Sequence, residues 1–338
     1  MRTDHDLIII GHGLAGGVLA ATAVNRGMRV RVFDAPKSGQ ASRVAAGIVN
    51  PIVLRRMVPS WRAAEMLVRA EAFFKTPHWH PIPMVRIFGN AQEENYWNRS
   101  EADEQAAPFL SREQRVDVDR ADIDRGIGYG IVNRCAWLDV NAWLDEQRTA
   151  LIHSNHFREE WISKEDIVEH ADHAMVKGES ASFVVLCEGP FTAVPGLVPA
   201  RGELLTVRIP GLGLKTMIHR GAFLLPLGDD LYRVGSTFAW DDLFVGPTEE
   251  GKQVLLERLL KITRLPVELI EHAAGVRPAA RDRRPIMGLV GGGSRIAVLN
   301  GFGSRGVLLT PWGSAHLLDH LLLGQELEPE VNAARFSV

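Results

Sequence analysis

Cysteine is almost missing from this chain. Its two cysteines, Cys135 and Cys187, exclude a disulfide framework and a CxxC metal site, and such sparing use suits a reducing compartment. A charge excess of one sign is missing too. With 38 Lys and Arg against 41 Asp and Glu, the net charge of -3 gives no global pull toward nucleic acid or an anionic membrane. No apolar run near the N-terminus is long enough for a signal-peptide core or a membrane span: "MRTDHDLIII" is charged and then enters a short strand. A soluble cytoplasmic protein without a membrane partner is expected. The "HWH" at His78 to His80 lacks a third ligand at useful spacing and is flanked by prolines, so no metal site is expected. No Ser/His/Asp triad or paired-carboxylate motif stands out either. What remains is a chain of 338 residues, 46% hydrophobic and 23% charged, large enough for two domains.

The first unit is legible from periodicity. "DLIII" (Asp6 to Ile10) reads as a buried parallel strand, "GGVLAATAVNRG" as a helix stopped by Gly27, and "RVRVFD" (Arg29 to Asp34) as a second strand. The turn between strand and helix is GxGxxG, with Gly11 for the tight turn, Gly13 for backbone approach to a pyrophosphate and Gly16 for helix-on-strand packing. Asp34, closing the second strand, can accept hydrogen bonds from ribose hydroxyls. His12 fills a variable position. The small residues of "ASRVAAGIVNPIVLRR" (Ala41 to Arg56) suggest a loop built for close approach of a ligand. "VPSWRAAEMLVRAEAFFK" reads as a helix with Ala64, Leu67, Val68, Ala70 and Phe73 or Phe74 inward. The charged segment from Asn90 to Gly126 reads as the solvated outer part of a second domain.

Helical spacing returns at Cys135 to Ile152, followed by a strand around Phe157 to Ile162. "SFVVLCEGP" (Ser182 to Pro190) is again a buried parallel strand, ending near Gly189. "RGELLTVRI", "TMIHRGAFLLPLG" and "LYRVGSTFA" suggest an antiparallel sheet, with a helix opening at Pro247 to Glu250. The closing stretch "RIAVLNGFGSRGVLLTPWGSAHLLDHLL" returns to strand, glycine turn and long helix. The fold class expected is α/β: a Rossmann-like nucleotide domain from three separated segments (1–56, 134–200 and 275–338) and an antiparallel-sheet substrate domain (57–133 and 201–274).

The order GxGxxG, "SRVAAGI", "VVLCEG", "GVRPAARDRRPIMG" and "GFGSRG" resembles the D-amino-acid-oxidase family of FAD-dependent oxidoreductases over essentially the whole chain. Within it, glycine oxidase and the flavin-oxidase half of the bifunctional enzyme that modifies the tRNA wobble uridine are the most similar branches. The resemblance implies FAD contacts from Gly11, Gly13, Leu14, Ala15, Gly16 and Asp34, from Ser42, Arg43, Ala46, Gly47 and Ile48, from Gly189, and from Gly301, Gly303, Ser304, Arg305, Gly306 and Val307. It also implies that the second glycine turn faces the flavin ring, where a helix N-terminus stabilises the negative charge of the reduced ring. NAD gains no such charge, which favours FAD. Relatives with covalent FAD carry His just before "AAG" or a Cys late in the chain. Val44 stands in the first place here and neither cysteine in the second, so noncovalent FAD is expected.

By the same resemblance Arg277 clamps a substrate carboxylate, a role suited to its planar fork of donors. The tyrosine that often partners it in glycine oxidase is replaced by Phe223, with His219 nearby as another donor. The reading is an oxidoreductase that oxidises the C–N bond of an amino acid or secondary amine, by hydride transfer from the carbon that bears the neutral amine to flavin N5, and passes the electrons to oxygen or an electron acceptor. An FAD-dependent 2-hydroxy-acid dehydrogenase and an oxidase of a modified tRNA nucleoside remain open. Nucleic acid as a partner is disfavoured by the acidic balance but not excluded, given the arginines from Arg277 to Arg284.

Overall fold

The computed structural model describes residues 3–113, 118, 120–290 and 295–336. β1 (His5–Ile10) and β2 (Val30–Asp34) pair in parallel around α1 (Leu14–Asn25). Leu7 to Ile10 and Val30, Val32 and Phe33 are apolar and buried because the sheet is covered on both sides, while the buried Arg31 pairs with Glu179 at 2.6 Å. Beyond β2 lies Phe157–Glu159, and on the other side of β1 come Glu179–Leu186 and then Ile296–Asn300. These five strands are parallel although three distant parts of the sequence supply them. Ile286–Leu289 adds antiparallel to the edge, and a hairpin, Ile167–Glu169 with Ala174–Val176, extends the first half of Glu179–Leu186.

A second sheet of eight strands carries, in spatial order, Glu268–Arg277, Ala200–Arg208, Leu231–Gly235, Phe223–Gly228, Met217–His219, Met84–Phe88, Gly128–Val132 and Leu110–Ser111. All neighbours are antiparallel except Met217–His219 beside Met84–Phe88. The closing helix Gly306–Leu323 packs on α1 and on the helix Ala63–Phe73. The fold is therefore the two-sheet α/β arrangement the pattern implied.

Several local expectations change. The stretch from Ala41 is not all loop: a turn of helix, α2 (Ala41–Val44), leads into two-residue strands at Ile48–Val49 and Ile52–Val53. The expected helix at Cys135 begins as a strand, Ala136–Leu138, clamped between Ile48–Val49 and Trp79–Pro81. The helix Val140–His153 starts only where the Asp139 carboxylate accepts the Ala142 N–H at 3.1 Å. "TMIHRGAFLLPLG" folds as two strands around the turn at Gly221. In Ala63–Phe73 the inward face is Ala63, Met66, Leu67 and Ala70, while Ala64 and Val68 face solvent. The charged segment after Asn90 forms the helix Ala91–Glu101, whose Trp97 is fully buried over Gly130. A Cβ on Gly130 would meet the indole at 2.2 Å, so the solvated reading fails there; residues 114–117 and 119 of that segment lie outside the described residues. Among the described residues no helix is long and apolar enough to cross a membrane.

Candidate active site

The two glycine turns meet. A Cβ on Gly306, the first residue of the closing helix, would lie 2.9 Å from Leu14 Cδ2 at the start of α1. Both helix N-termini open on one cleft of about 500 Å³ between the parallel sheet and the antiparallel sheet. Neither has an acidic residue in its first turn or a side-chain cap from its N-cap residue. Their positive dipole ends therefore face the cleft without a carboxylate to offset them.

At the α1 end, Gly11 holds φ +99°, a conformation that a side chain rarely adopts, and its Cβ would lie 2.7 Å from the Cys187 carbonyl oxygen. A Cβ on Gly16 would stand 1.9 Å from the Gly11 carbonyl oxygen, so the turn closes only on hydrogen atoms. The Leu14 N–H donates to Ser42 Oγ at 2.9 Å, and the His12 N–H donates to Asp34 Oδ1 at 3.0 Å. Burial pushes the Asp34 carboxyl above its usual range, opposed by that N–H. Gly11, Gly13, Leu14, Ala15 and Asp34 all border the cleft, as do Ser42, Arg43, Ala46, Gly47, Ile48 and Gly189. Arg43 is also tied to Asp145 at 2.6 Å. Gly303, Ser304, Arg305, Gly306 and Val307 border it from the closing helix. Burial first, then the charges of Arg283, Arg284 and Arg56, lower the Arg305 pKa. Gly16 and Gly301 do not border the cleft. Gly16 acts one layer back, and Gly301 packs on Ile286, whose Cγ1 would be 2.8 Å from a Cβ there.

The antiparallel sheet supplies the floor. Its register aligns His219 with Phe223, Phe223 with Gly235, Gly235 with Leu204, and Ala200 with Arg277 on the edge strand. Opposed residues share a face, so these side chains look to the same side. Arg277 does not stand upright. Its guanidinium lies across the next strand, where a Cβ on Gly202 would meet Nη2 at 1.9 Å, Nη1 at 2.0 Å and Cζ at 2.1 Å. It donates to the Thr237 carbonyl at 3.2 Å and lies 4.3 Å from the Phe238 ring centre. Among the described residues no carboxylate pairs with it, and burial lowers its pKa to about 10. Phe223 and His219 both border the cleft.

Several bordering residues carried no motif. His12 is buried edge-on to Phe157 at 5.6 Å, and neither ring nitrogen has a hydrogen-bond partner among the described residues; burial lowers its pKa to about 4. Lys37 lies over the Trp161 ring at 2.8 Å, and Glu188, with its pKa raised by burial, accepts from Thr192. Gly202 could have been noticed, because a glycine inside a strand often marks a close approach. His78 pairs with Glu146 at 2.7 Å and His80 stacks on Trp137. Among the described residues no group of three or more His, Cys, Asp or Glu is placed to hold a metal ion.

The family of FAD dependent oxidoreductases abbreviated DAO matches this chain over residues 6–321. The chain belongs to the DAO family of FAD-dependent oxidoreductases. As a DAO-family chain it is 24% identical over 356 aligned positions to the tRNA 5-methylaminomethyl-2-thiouridine biosynthesis bifunctional protein MnmC of Marinobacter nauticus, covering 93% of this chain and 55% of that protein. The chain thus spans little more than half the length of that relative. The glycine oxidase of Pseudomonas aeruginosa is 22% identical, with 95% of each covered. Among solved structures, glycine oxidase from Geobacillus kaustophilus superposes with a TM-score of 0.78 at 18% identity, covering 99% of this chain and 98% of that one. The fold of this DAO-family chain is therefore that of glycine oxidase. The cleft also fits the cofactor of the family: two uncompensated helix N-termini flank it, and the turn below it admits no Cβ at Gly11 or Gly16.

Proposed function

We propose that this chain oxidises the C–N bond of an amine that carries a carboxylate, an amino acid or secondary amino acid, with FAD held noncovalently in the cleft. The observation that carries this reading is Arg277, a cation on the cleft floor with no carboxylate partner among the described residues and its guanidinium held flat over Gly202. A buried cation without a counter-charge is costly, and a substrate carboxylate supplies one through two charge-assisted hydrogen bonds. FAD, when bound there, supplies the two-electron acceptor for the hydride of the amine-bearing carbon. Arg277 then fixes which carbon is presented, and water hydrolyses the imine product. A neutral amine needs no general base. The acids that border the cleft, Asp34, Glu160 and Glu188, follow or end strands of the parallel sheet, and none of them is paired with Arg277.

The turn of α1, Ser42 to Ile48, Gly189 and the turn from Gly303 to Val307 form the cofactor's half of the cleft. This supports a nucleotide domain of 1–56, 134–200 and 275–338 and a substrate domain of 57–133 and 201–274. Val44 offers no nucleophile. Burial pushes the Cys187 thiol, which also borders the cleft, far above its usual range, so it is no thiolate for a covalent link. Oxygen or another electron acceptor completes turnover, and the cytoplasm is the compartment that two buried free cysteines suit. The test is an anaerobic absorbance titration of the purified yellow protein with amines, amino acids and 2-hydroxy acids. Bleaching by carboxylated amines alone supports the reading. Bleaching by hydroxy acids replaces it with 2-hydroxy-acid oxidation. Bleaching only by amines without a carboxylate points to a modified nucleoside, a reading that Arg55 and Arg305 at the cleft and Arg283 and Arg284 beside it would serve.

A further inference from the structure

We propose that His219 donates a hydrogen bond from Nε2–H to an acceptor on the substrate, so that the site selects molecules with a carboxylate at Arg277 and a hydrogen-bond acceptor at the far end of the same floor. This rests on the carboxylate reading of Arg277 and extends it to the shape of the substrate.

The tautomer is set by a chain of partners on the strand next door. Arg86, aligned with His219 on Met84–Phe88, stands with Nη1 2.8 Å from His219 Nδ1. Arginine can only donate, so Nδ1 is the acceptor and the ring proton sits on Nε2. Arg86 is itself held by Glu93 at 2.9 Å, and the other Glu93 oxygen accepts the Gly89 N–H at 2.9 Å. The imidazole is also kept neutral. Burial first, then the Arg86 charge, lowers its pKa to about 3, because a second proton would face the guanidinium directly. His219 is therefore neither a general base nor a cation at working pH. It borders the cleft, and among the described residues the hydrogen bonds of its ring are those with Arg86, at Nδ1, and with its own backbone.

Placement gives the spacing. Phe223 and Gly235 lie between His219 and the strand that carries both Leu204 and Gly202, and the Arg277 guanidinium rests over Gly202. Three inter-strand steps put His219 and Gly202 on the order of 15 Å apart. The floor between them is apolar: Leu204 and Phe223 close over Gly235, where a Cβ would meet Leu204 Cδ2 at 2.1 Å and Phe223 Cζ at 2.8 Å. A ligand that spans it carries a carboxylate, an apolar or neutral middle and an acceptor such as an ether, carbonyl or amide oxygen. Glycine is too short to touch both.

The test uses the FAD-loaded protein and calorimetric affinities for ω-methoxyalkanoates of increasing length, each compared with the n-alkanoate of matched length. At one length the methoxy compound should bind up to about tenfold tighter, the range of one net hydrogen bond. His219→Leu should abolish that advantage, read as the ratio of methoxy to alkanoate affinity within the same variant. His219→Gln, whose side-chain N–H can sit near the place of the imidazole Nε2–H, should keep part of it. An advantage that survives His219→Leu, an equal loss in both variants, or alkanoates that bind with no methoxy preference at any length would overturn the role of His219 and leave Arg277 untouched. If the native protein binds no alkanoate at all, the carboxylate reading falls and this proposal with it.

Discussion

Replacing Gly202 by alanine separates recognition from folding. The new methyl would sit 1.9 to 2.1 Å from Nη2, Nη1 and Cζ of Arg277, where ordinary contact begins at 3.4 Å. The obstacle is the far end of a flexible side chain, so the strand need not move and the guanidinium must lift by about 1.5 Å. That displacement takes it off the Thr237 carbonyl, now 3.2 Å away, and beyond the reach at which a two-point carboxylate contact survives. A lost charge-assisted interaction of about 1.5–3 kcal/mol raises KM for a carboxylated substrate by about ten- to a hundredfold. Stability should change little, because the cost of about 0.5–1 kcal/mol that glycine carries inside a strand relative to alanine is relieved while the Thr237 hydrogen bond, of similar size, is lost. The assay pairs steady-state kinetics on the best carboxylated amine and its decarboxylated analogue with thermal melts and flavin content. The expected result is a raised KM for the acid alone and a melting temperature close to that of the native protein. An unchanged KM would show that binding does not use the guanidinium in this place. A clear loss of stability would show that Gly202 serves strand packing instead.

Arg277→Lys should keep the charge, lose the fork and raise KM for the acid by about one to two orders of magnitude while FAD binding survives; equal losses for the acid and its decarboxylated analogue would remove the carboxylate from that residue. Asp34→Ala should weaken FAD binding, since it removes a ribose acceptor and strips the His12 N–H of its partner, a cost of about 1–3 kcal/mol; unchanged affinity in a flavin titration would refute it. Heat or acid should release all the flavin, and a fluorescent protein band on a denaturing gel would contradict this. His12→Leu should flatten the acid side of the stability curve. The folded His12 pKa of about 4 lies below the ordinary 6.5, so the unfolded chain alone binds a proton between these values and stability falls as pH drops through that window, by about 3 kcal/mol in all. Urea unfolding midpoints that fall equally in both proteins between about pH 7 and about pH 4.5 would count against it.

The parts legible in the sequence are those whose constraints are local. The GxGxxG turn can be read because Gly11 and Gly16 answer to atoms only a few residues away along the chain or on the adjoining strand end, and apolar runs announce buried parallel strands before their partners are known. The second glycine turn shows the same spacing in the sequence, but what packs on it does not, since Gly306 closes on Leu14 at the other end of the chain. Two-residue strands such as Ile48–Val49, or the three residues Ala136–Leu138, are shorter than any periodicity can register, so a helix pattern at Val140–His153 spread backward over them. Trp97 was hidden for another reason: its helix is charged on every side but one, and the space that receives the indole is a glycine on a different strand.

The family resemblance named Arg277, but its slot could not be foreseen. That slot depends on Gly202, and the far end of the floor depends on His219 being held by Arg86, which lies 133 positions earlier in the chain. Such pairings are fixed by strand register, which is set by the packing of whole faces against each other; a shift of one residue would turn each of these side chains to the opposite side. Sequence alone therefore determined the family and its two glycine turns, and tertiary structure decided what stands opposite them on the floor, because register is a property of paired strands and not of any strand by itself.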